Sequence, residues 1–410
     1  MNSKNYGDDS KTAIGDLNDN ILLQRFIIGF KYDHSNKIEF SLHLQDSRAL
    51  GWSLRNSEYP DFFKIYKPGT VAPYYKMNPQ EEFFEIYDAS IKIDSVLRYF
   101  FIKAGRQKIA CADYRIFGPG SWGNTGRWTW DAVKLSFAKG RFSFDTWVGG
   151  TKIHDPQKTC LPFTHNEFYG FGFYGSYSIT ETFVLEPYAA HKQQGSADYI
   201  KDQKINRNWI GLRLNEADLH NFRFEINFTR EFGKDNGKII DAYGVFTKIG
   251  YKFKFIPGKP LLSLRYTYAS GNKDNNDKIY VFDPVYGASD KYYGWMNIVR
   301  WTNLDNREIV LELYPVKNLW IEVKYNQFYI PRPDDVVLQG TMTLLPGKKH
   351  LGDELDIFAK YNYFKCWQFV LAFGYFMHKD IQMINSKTPE NAYWIACQVL
   401  YSFDFKLFDK

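Results

Sequence analysis

Apolar and polar residues alternate along most of this chain, which is the pattern of β-strands whose two faces meet different surroundings. Between residues 393 and 407 every odd position is apolar, whereas the even positions after Trp394 are mostly small or polar. The same alternation recurs in residues 38–45, 222–229, 262–268 and 354–361. No stretch shows helical periodicity over a comparable length, so the sequence predicts an all-β protein.

The alternation predicts about seventeen strands, starting near residues 21, 37, 84, 97, 128, 141, 167, 181, 206, 221, 239, 261, 306, 318, 353, 366 and 393. Short turns and long loops connect them in strict alternation, and the main long loops are 46–82, 109–127, 270–305 and 329–352. Tight turns at one end and long loops at the other are typical of a transmembrane antiparallel β-barrel. Lipid requires such a sheet to close, because unpaired edge groups cannot be satisfied there.

The composition fits a barrel in a bilayer. The chain has 410 residues, of which 44% are hydrophobic and 19% aromatic, and its formal net charge is +6. Aromatic residues gather at both membrane interfaces, which accounts for their excess. The longest apolar run, Phe369–Met377, is about half of the roughly 18 residues that a spanning helix needs. A water-soluble double-sheet protein also alternates and remains the alternative, although its shorter loops and apolar inner face fit less well.

The strand count carries a further expectation. Single-chain bacterial barrels have an even number of strands and both termini in the periplasm, whereas the strand that starts near residue 21 would begin outside. We therefore expect a signal peptide and one strand upstream of Met1, giving about eighteen strands in all. Residues 1–20 would then be the first extracellular loop, and residues 21–410 would form the barrel.

The polar face of the predicted strands carries both signs of charge and is richer in basic groups. A basic ring in a narrow pore concentrates anions, and guanidinium groups bind carboxylates with two parallel hydrogen bonds. The candidate groups in the lumen are Arg25, Arg106, Lys108, Arg213, Arg223, Arg265, Glu354 and Asp356.

Several segments resemble the alginate-export family of outer-membrane proteins. The segments are Leu17–Asn20 before Arg25, Gly105–Lys108 followed by Trp130–Val133, Lys291–Arg300 around Gly294, and Pro346–Asp356. The resemblance implies an eighteen-stranded barrel that releases an anionic polysaccharide. It also implies that Arg25, Lys108, Lys291 and Arg300 lie in a basic constriction. Val370 and Ala372 are apolar where the family has a basic pair, so a less charged glycan or small anions remain open as substrates.

We expect from this a channel in the bacterial outer membrane for passive export or diffusion of an anionic or polar saccharide. A general porin for small anions and solutes is the alternative. The expected partners are membrane lipid, the saccharide and periplasmic export machinery, with no nucleic acid. We expect no enzyme activity, cofactor or metal: the only glycine motif, Gly170–Gly175, lies within a predicted strand, and no histidine or cysteine pattern suits a metal.

Overall fold

The computed structural model describes most of the chain, namely residues 2–4, 18–35, 37–51, 64–66, 73–76, 82–119, 128–153, 159–197, 200–272, 278–287, 292–333, 342–383 and 390–406. The described residues contain no helix that is long and apolar enough to pass through a bilayer. The described part of the protein is built from β-strands and their connections.

The predicted strands are all present among the described residues. In chain order they are β1 (Leu22–His34), β2 (Ile38–Leu50), β3 (Glu82–Leu97), β4 (Phe100–Lys108), β5 (Thr129–Lys139), β6 (Phe142–Lys152), β7 (Asn166–Ser178), β8 (Phe183–Gln194), β9 (Ile205–Leu219), β10 (Phe222–Asp235), β11 (Lys238–Lys252), β12 (Leu261–Ala269), β13 (Leu304–Leu313), β14 (Leu319–Tyr329), β15 (His350–Tyr363), β16 (Trp367–His378) and β17 (Ala392–Tyr401). Each pairs antiparallel with the next along the chain. The all-β fold class is therefore confirmed.

The short strand Asn2–Lys4 closes the sheet into a barrel. Asn2 is paired with Ile395 of β17 on one side and with Asn20, just before β1, on the other. With it, the antiparallel sheet has 18 strands among the described residues. Of the expected loop 1–20, the described pieces 2–4 and 19–20 pair in the sheet, and residues 5–17 lie outside the described residues. The upstream strand and signal peptide stay predictions.

Alternation places the apolar side chains of each strand on the outer face. In β10, Phe222, Ile226 and Phe228 are exposed, whereas Glu225 and Asn227 between them are buried. A strand turns successive side chains to opposite faces, so these two polar residues lie on the inner face. On this strand the barrel therefore presents apolar side chains outward and polar ones inward, as the sequence predicts.

The two ends of the barrel differ in the length of their connections. At one end β9 and β10 are joined by His220 and Asn221 alone, whereas at the other end residues 270–303 separate β12 from β13. The pattern has one exception, because Asn236 and Gly237 join β10 to β11 at the long-loop end in a tight hairpin. The loop expected from residue 46 starts later, because β2 continues to Leu50.

Candidate functional site: a charged inner wall and two aromatic loops

The inner wall carries one continuous row of charged residues across neighbouring strands. Glu225 of β10 is paired with Lys248 of β11, Lys248 with Arg265 of β12, and Arg265 with Glu308 of β13. Cross-strand partners have Cα atoms about 4.5–5.5 Å apart, so the four charges are close neighbours. The row alternates in sign except where Lys248 meets Arg265.

Arg213 and Arg265 lie on this wall and are bound by carboxylates. Arg213 donates from Nε to Glu225 Oε1 at 2.7 Å and also contacts Glu186. Arg265 lies 3.3 Å from Glu312, and 3.9 Å from both Glu308 and Glu322. Both guanidinium groups brace the wall while keeping an edge toward the interior, since their side chains are 10% and 14% exposed.

Arg223 differs from these two because it has no carboxylate within 4.0 Å among the described residues. It occupies the inner face of β10 opposite Gly250 of β11. Its Nε atom is buried and has no hydrogen-bond partner. Arg223 therefore contributes a positive charge that the surrounding wall does not neutralise.

The residues that the family resemblance implies are more scattered. Arg25 is exposed on β1, opposite Ser47 of β2. Arg300 is exposed after the long 270–303 connection, where its carbonyl accepts a hydrogen bond from the Thr302 amide. Lys291 lies outside the described residues.

Arg106 is not a lumen residue, contrary to the expectation. It donates two hydrogen bonds to Asp131, at 2.7 and 2.9 Å, and one to Glu85. Trp130 and Ala132 pack among the buried apolar residues inside the barrel. Asp131 lies between them, so alternation directs its side chain to the outer face. The Arg106 side chain is fully buried there, because the segment around Cys160 packs over it and accepts a hydrogen bond from it.

Lys108 has the same parity as Arg106 along β4 and contacts Tyr87. Its ammonium group lies 4.1 Å from the centre of the Tyr87 ring and bonds the phenol oxygen. The parity shared with Arg106 directs Lys108 to the outer side of the sheet as well. The two basic residues of the Gly105–Lys108 segment therefore do not form part of the inner wall.

Glu354 and Asp356 lie on the inner face, but a loop covers them. Glu354 accepts a hydrogen bond from the Met296 amide at 3.0 Å, and Asp356 accepts one from the Trp295 amide at 3.2 Å. The Trp295 ring stacks on Phe358 at 4.2 Å. Both carboxylates are almost completely buried. They therefore hold the loop and do not face a substrate, which corrects the expectation that they would bind one.

Two loops enter the barrel and meet in its interior. The first follows β4 and is described over residues 109–119. The second joins β12 to β13 and is described over residues 270–272, 278–287 and 292–303. Phe117 of the first forms a parallel bridge with Tyr286 of the second. The Tyr286 amide donates to the Ile116 carbonyl, and the Gly118 amide donates to the Tyr286 carbonyl. The two loops thus form one unit inside the wall.

Aromatic side chains bind this unit to the wall. Phe117 contacts Trp147 of β6 edge-to-face at 4.8 Å, and Tyr286 contacts Trp130 of β5 at 4.6 Å. The Trp209 indole donates to the Asp283 carbonyl at 3.0 Å. All these aromatic rings are almost fully buried. The aromatic excess is visible in the sequence, but these contacts are not. The sequence-based expectation placed the aromatic residues at the membrane interfaces.

Two buried cations reinforce the aromatic contacts. The Arg115 guanidinium of the first loop lies 3.7 Å from the Phe246 ring centre on the wall and 4.6 Å from Tyr292 of the second loop. Lys192 of β8 lies 5.0 Å from Tyr286 and 3.1 Å from the Asp283 carboxylate. A desolvated cation over a ring contributes about 2 kcal/mol. Neither residue could be predicted from the sequence, because no local pattern distinguishes them from other basic groups.

Comparisons with known proteins agree with this architecture. The family model described as alginate export matches residues 3–381. OccAB2 of Acinetobacter baumannii superimposes with a TM-score of 0.62 at 13% identity, covering 95% of this chain and 93% of that one. The outer membrane protein OpdK of Pseudomonas aeruginosa gives 0.60 at 11% identity, covering 98% and 94%. No curated protein shows significant sequence similarity to the chain.

These solved structures show the fold alone, since their identities are low, whereas the family model spans most of the sequence. Its match reaches from the closing strand near the N-terminus to the segment after β16. It therefore includes the charged inner wall and both interior loops. The chain belongs to the alginate export family and is a β-barrel channel protein of the bacterial outer membrane.

Proposed function

We propose that this channel conducts an anionic or polar oligosaccharide or polysaccharide passively, steered by the charge on its inner wall. The observation that carries the proposal is a second row, of basic residues on β9 to β12, made of Arg213, Arg223, Lys248 and Arg265. Carboxylates bind Arg213 and Arg265 but not Arg223. The row lies on the inner face, so a solute that crosses the barrel passes over it.

A wall of this kind suits a hydrated, charged sugar chain. Fixed charges in a low-dielectric pore concentrate ions of opposite sign. Guanidinium groups donate paired hydrogen bonds to carboxylates, and wall carboxylates accept hydrogen bonds from sugar hydroxyl groups. Each contact exchanges for the next along the row, so binding is distributed and movement requires no energy source. The proposal includes no covalent step, and periplasmic export machinery would deliver the polymer.

A channel for small anions is the second candidate, and the interior loops favour it. Phe117 and Tyr286 meet inside the barrel, and the cations Arg115 and Lys192 bind both loops to the wall. A polymer has to displace this unit or pass beside it, whereas a small anion needs a narrower path. The two candidates therefore differ in whether a saccharide enters at all.

Bilayer recording of the full chain distinguishes the two candidates. We expect anion-preferring conductance that a short oligouronate blocks at lower concentration than a neutral oligosaccharide of the same length. Anion-preferring conductance that no saccharide blocks would contradict the proposal and support the small-anion channel. Conductance without any ion preference would contradict both candidates.

A further inference from the structure

The surroundings of Gly250 on the inner wall contain polar groups that take no part in the ion pairs of Arg213 and Arg265. Gly250 lies between Lys248 and Lys252 on the inner face of β11. Its cross-strand partners are Arg223 on β10 and Ser263 on β12. Three basic side chains and one hydroxyl group thus surround a position that has no side chain of its own.

Two polar atoms at this position have no partner within the described protein. Arg223 Nε and Ser263 Oγ are both buried and make no hydrogen bond. Ser263 Oγ lies close to Gly250, since a Cβ atom on Gly250 would be 2.5 Å from this oxygen. A buried donor without an acceptor costs about 1–3 kcal/mol. Two such groups on either side of one glycine therefore indicate an acceptor that the protein itself does not supply.

The nearby carboxylates do not neutralise the three basic groups. Glu225 on β10 is the cross-strand partner of Lys248, and Glu312 lies on the inner face of β13. Glu225 is bound to Arg213 at 2.7 Å, and Glu312 lies 3.3 Å from Arg265. Among the described residues, neither Arg223 nor the two lysines have a carboxylate within 4.0 Å. The position therefore keeps a local excess of positive charge.

We propose that Arg223, Lys248, Lys252 and Ser263 bind one carboxylate group above Gly250, such as the carboxylate of a uronic acid residue. The guanidinium and hydroxyl donors face the position from two neighbouring strands, and the ammonium groups flank it along β11. This subsite rests on the proposed function when the carboxylate belongs to a saccharide, and stands without it when the carboxylate is a small organic acid.

The test compares block of single-channel current in the full chain by three probes: a short oligouronate, free glucuronate and a neutral oligosaccharide. Arg223→Gln removes one donor, and we expect the half-blocking concentration of oligouronate to rise about tenfold. Gly250→Ala fills the site while leaving every charge in place, and we expect a similar rise. Lys134→Gln is the matched control, because Lys134 lies on the inner face of β5 and is paired with Asp145 at 3.1 Å; we expect less than about a twofold change.

The outcomes separate the subsite from the proposed function. If oligouronate blocks wild type, Arg223→Gln and Gly250→Ala at the same concentration, the subsite is overturned and the saccharide channel stands. If only glucuronate blocks wild type and both variants weaken that block, the subsite stands and the saccharide channel falls. If neither acid blocks wild type, both fall. Slower gel migration after heating confirms that each variant forms the barrel, and Ser263→Ala provides a milder variant at the same position.

Discussion

Gly294 lies so close to Glu354 that a side chain at this position would collide with the carboxylate. A Cβ atom at this position would lie 2.4 Å from Glu354 Oε1, and Gly294 has a φ of +82°, a conformation that L residues rarely adopt. The glycine thereby lets the next two amides reach the carboxylates of Glu354 and Asp356. The second loop is held to the wall through its backbone at this point.

Replacing Gly294 by alanine should release the second loop. The added Cβ collides with the carboxylate, and the positive φ costs about a further 1 kcal/mol. We expect single-channel conductance to rise, as the segment around Trp295 leaves the wall. Gly347→Ala is the matched control, because Gly347 has a φ of +74° with no atom within 4 Å of the added Cβ. Equal conductance in both variants would show that the loop does not limit the current.

Arg115 should hold the first loop closed. Its guanidinium stacks on Phe246 and on Tyr292, so Arg115→Gln removes about 2 kcal/mol of contact. We expect the opened loop to expose Cys111, with an alkylation rate about tenfold higher. Arg307→Gln is the control, because Arg307 lies over Tyr329 at 4.7 Å but its side chain is 57% exposed. An unchanged Cys111 rate in Arg115→Gln would contradict a latch at this residue.

The Cys111 thiol should also react slowly in the wild-type protein. Burial raises the pKa of Cys111 well above the ordinary thiol value of about 8.5. Only the thiolate is nucleophilic, so at pH 8 we expect alkylation far slower than at the partly exposed Cys366. Because the pKa is raised, the Cys111 rate should still be increasing with pH well above pH 9. Peptide mass spectrometry after timed alkylation measures both sites, and equal rates at pH 8 would contradict the closed loop.

Asp131 should matter for stability and not for ion selectivity. Asp131→Asn leaves the fully buried Arg106 without its main partner, and breaking a buried pair costs about 3–5 kcal/mol. Asp46→Asn removes the comparable partner of Arg48, at 2.6 Å, but the side chains of that pair are 39% and 20% exposed. The change should therefore cost less than the loss of Asp131, about 1 kcal/mol. Unfolding in urea measures both. A shift in zero-current potential on Asp131→Asn would show that Arg106 faces the lumen and would contradict its assignment to the outer side.

Alternation alone predicted the strands, because a sheet between lipid and water imposes the same two-residue period on every strand. The same rule gives the face on which Arg106 lies, because Arg106 has the parity of Ile102 and Ala104 on the outer face. The expectation of a lumen residue assigned Arg106 to the polar face of its predicted strand, opposite the apolar one. The rim of a barrel can bury charge on its outer side when a loop packs over it, and the covering contact at Cys160 lies 54 residues away.

The interior loops could not be predicted from the sequence. Phe117 and Tyr286 are far apart in the chain, and neither loop has a regular period that would show which side it packs on. Glu354 and Asp356 were assigned to the correct face, but their role depends on two backbone amides of the second loop. Lys248 was not predicted, although it has the same parity along β11 as Phe246 and Gly250 and therefore lies on the inner face.

The zero-current potential across a salt gradient tests the central claim most directly, because it reports the sign of the charge that ions meet inside the barrel. We predict anion preference for the full chain, and a shift toward cation preference when Arg223, Lys248 and Lys252 are replaced together by glutamate. The same potential in the wild-type protein and the triple variant would contradict the account of a charged inner wall that selects what passes.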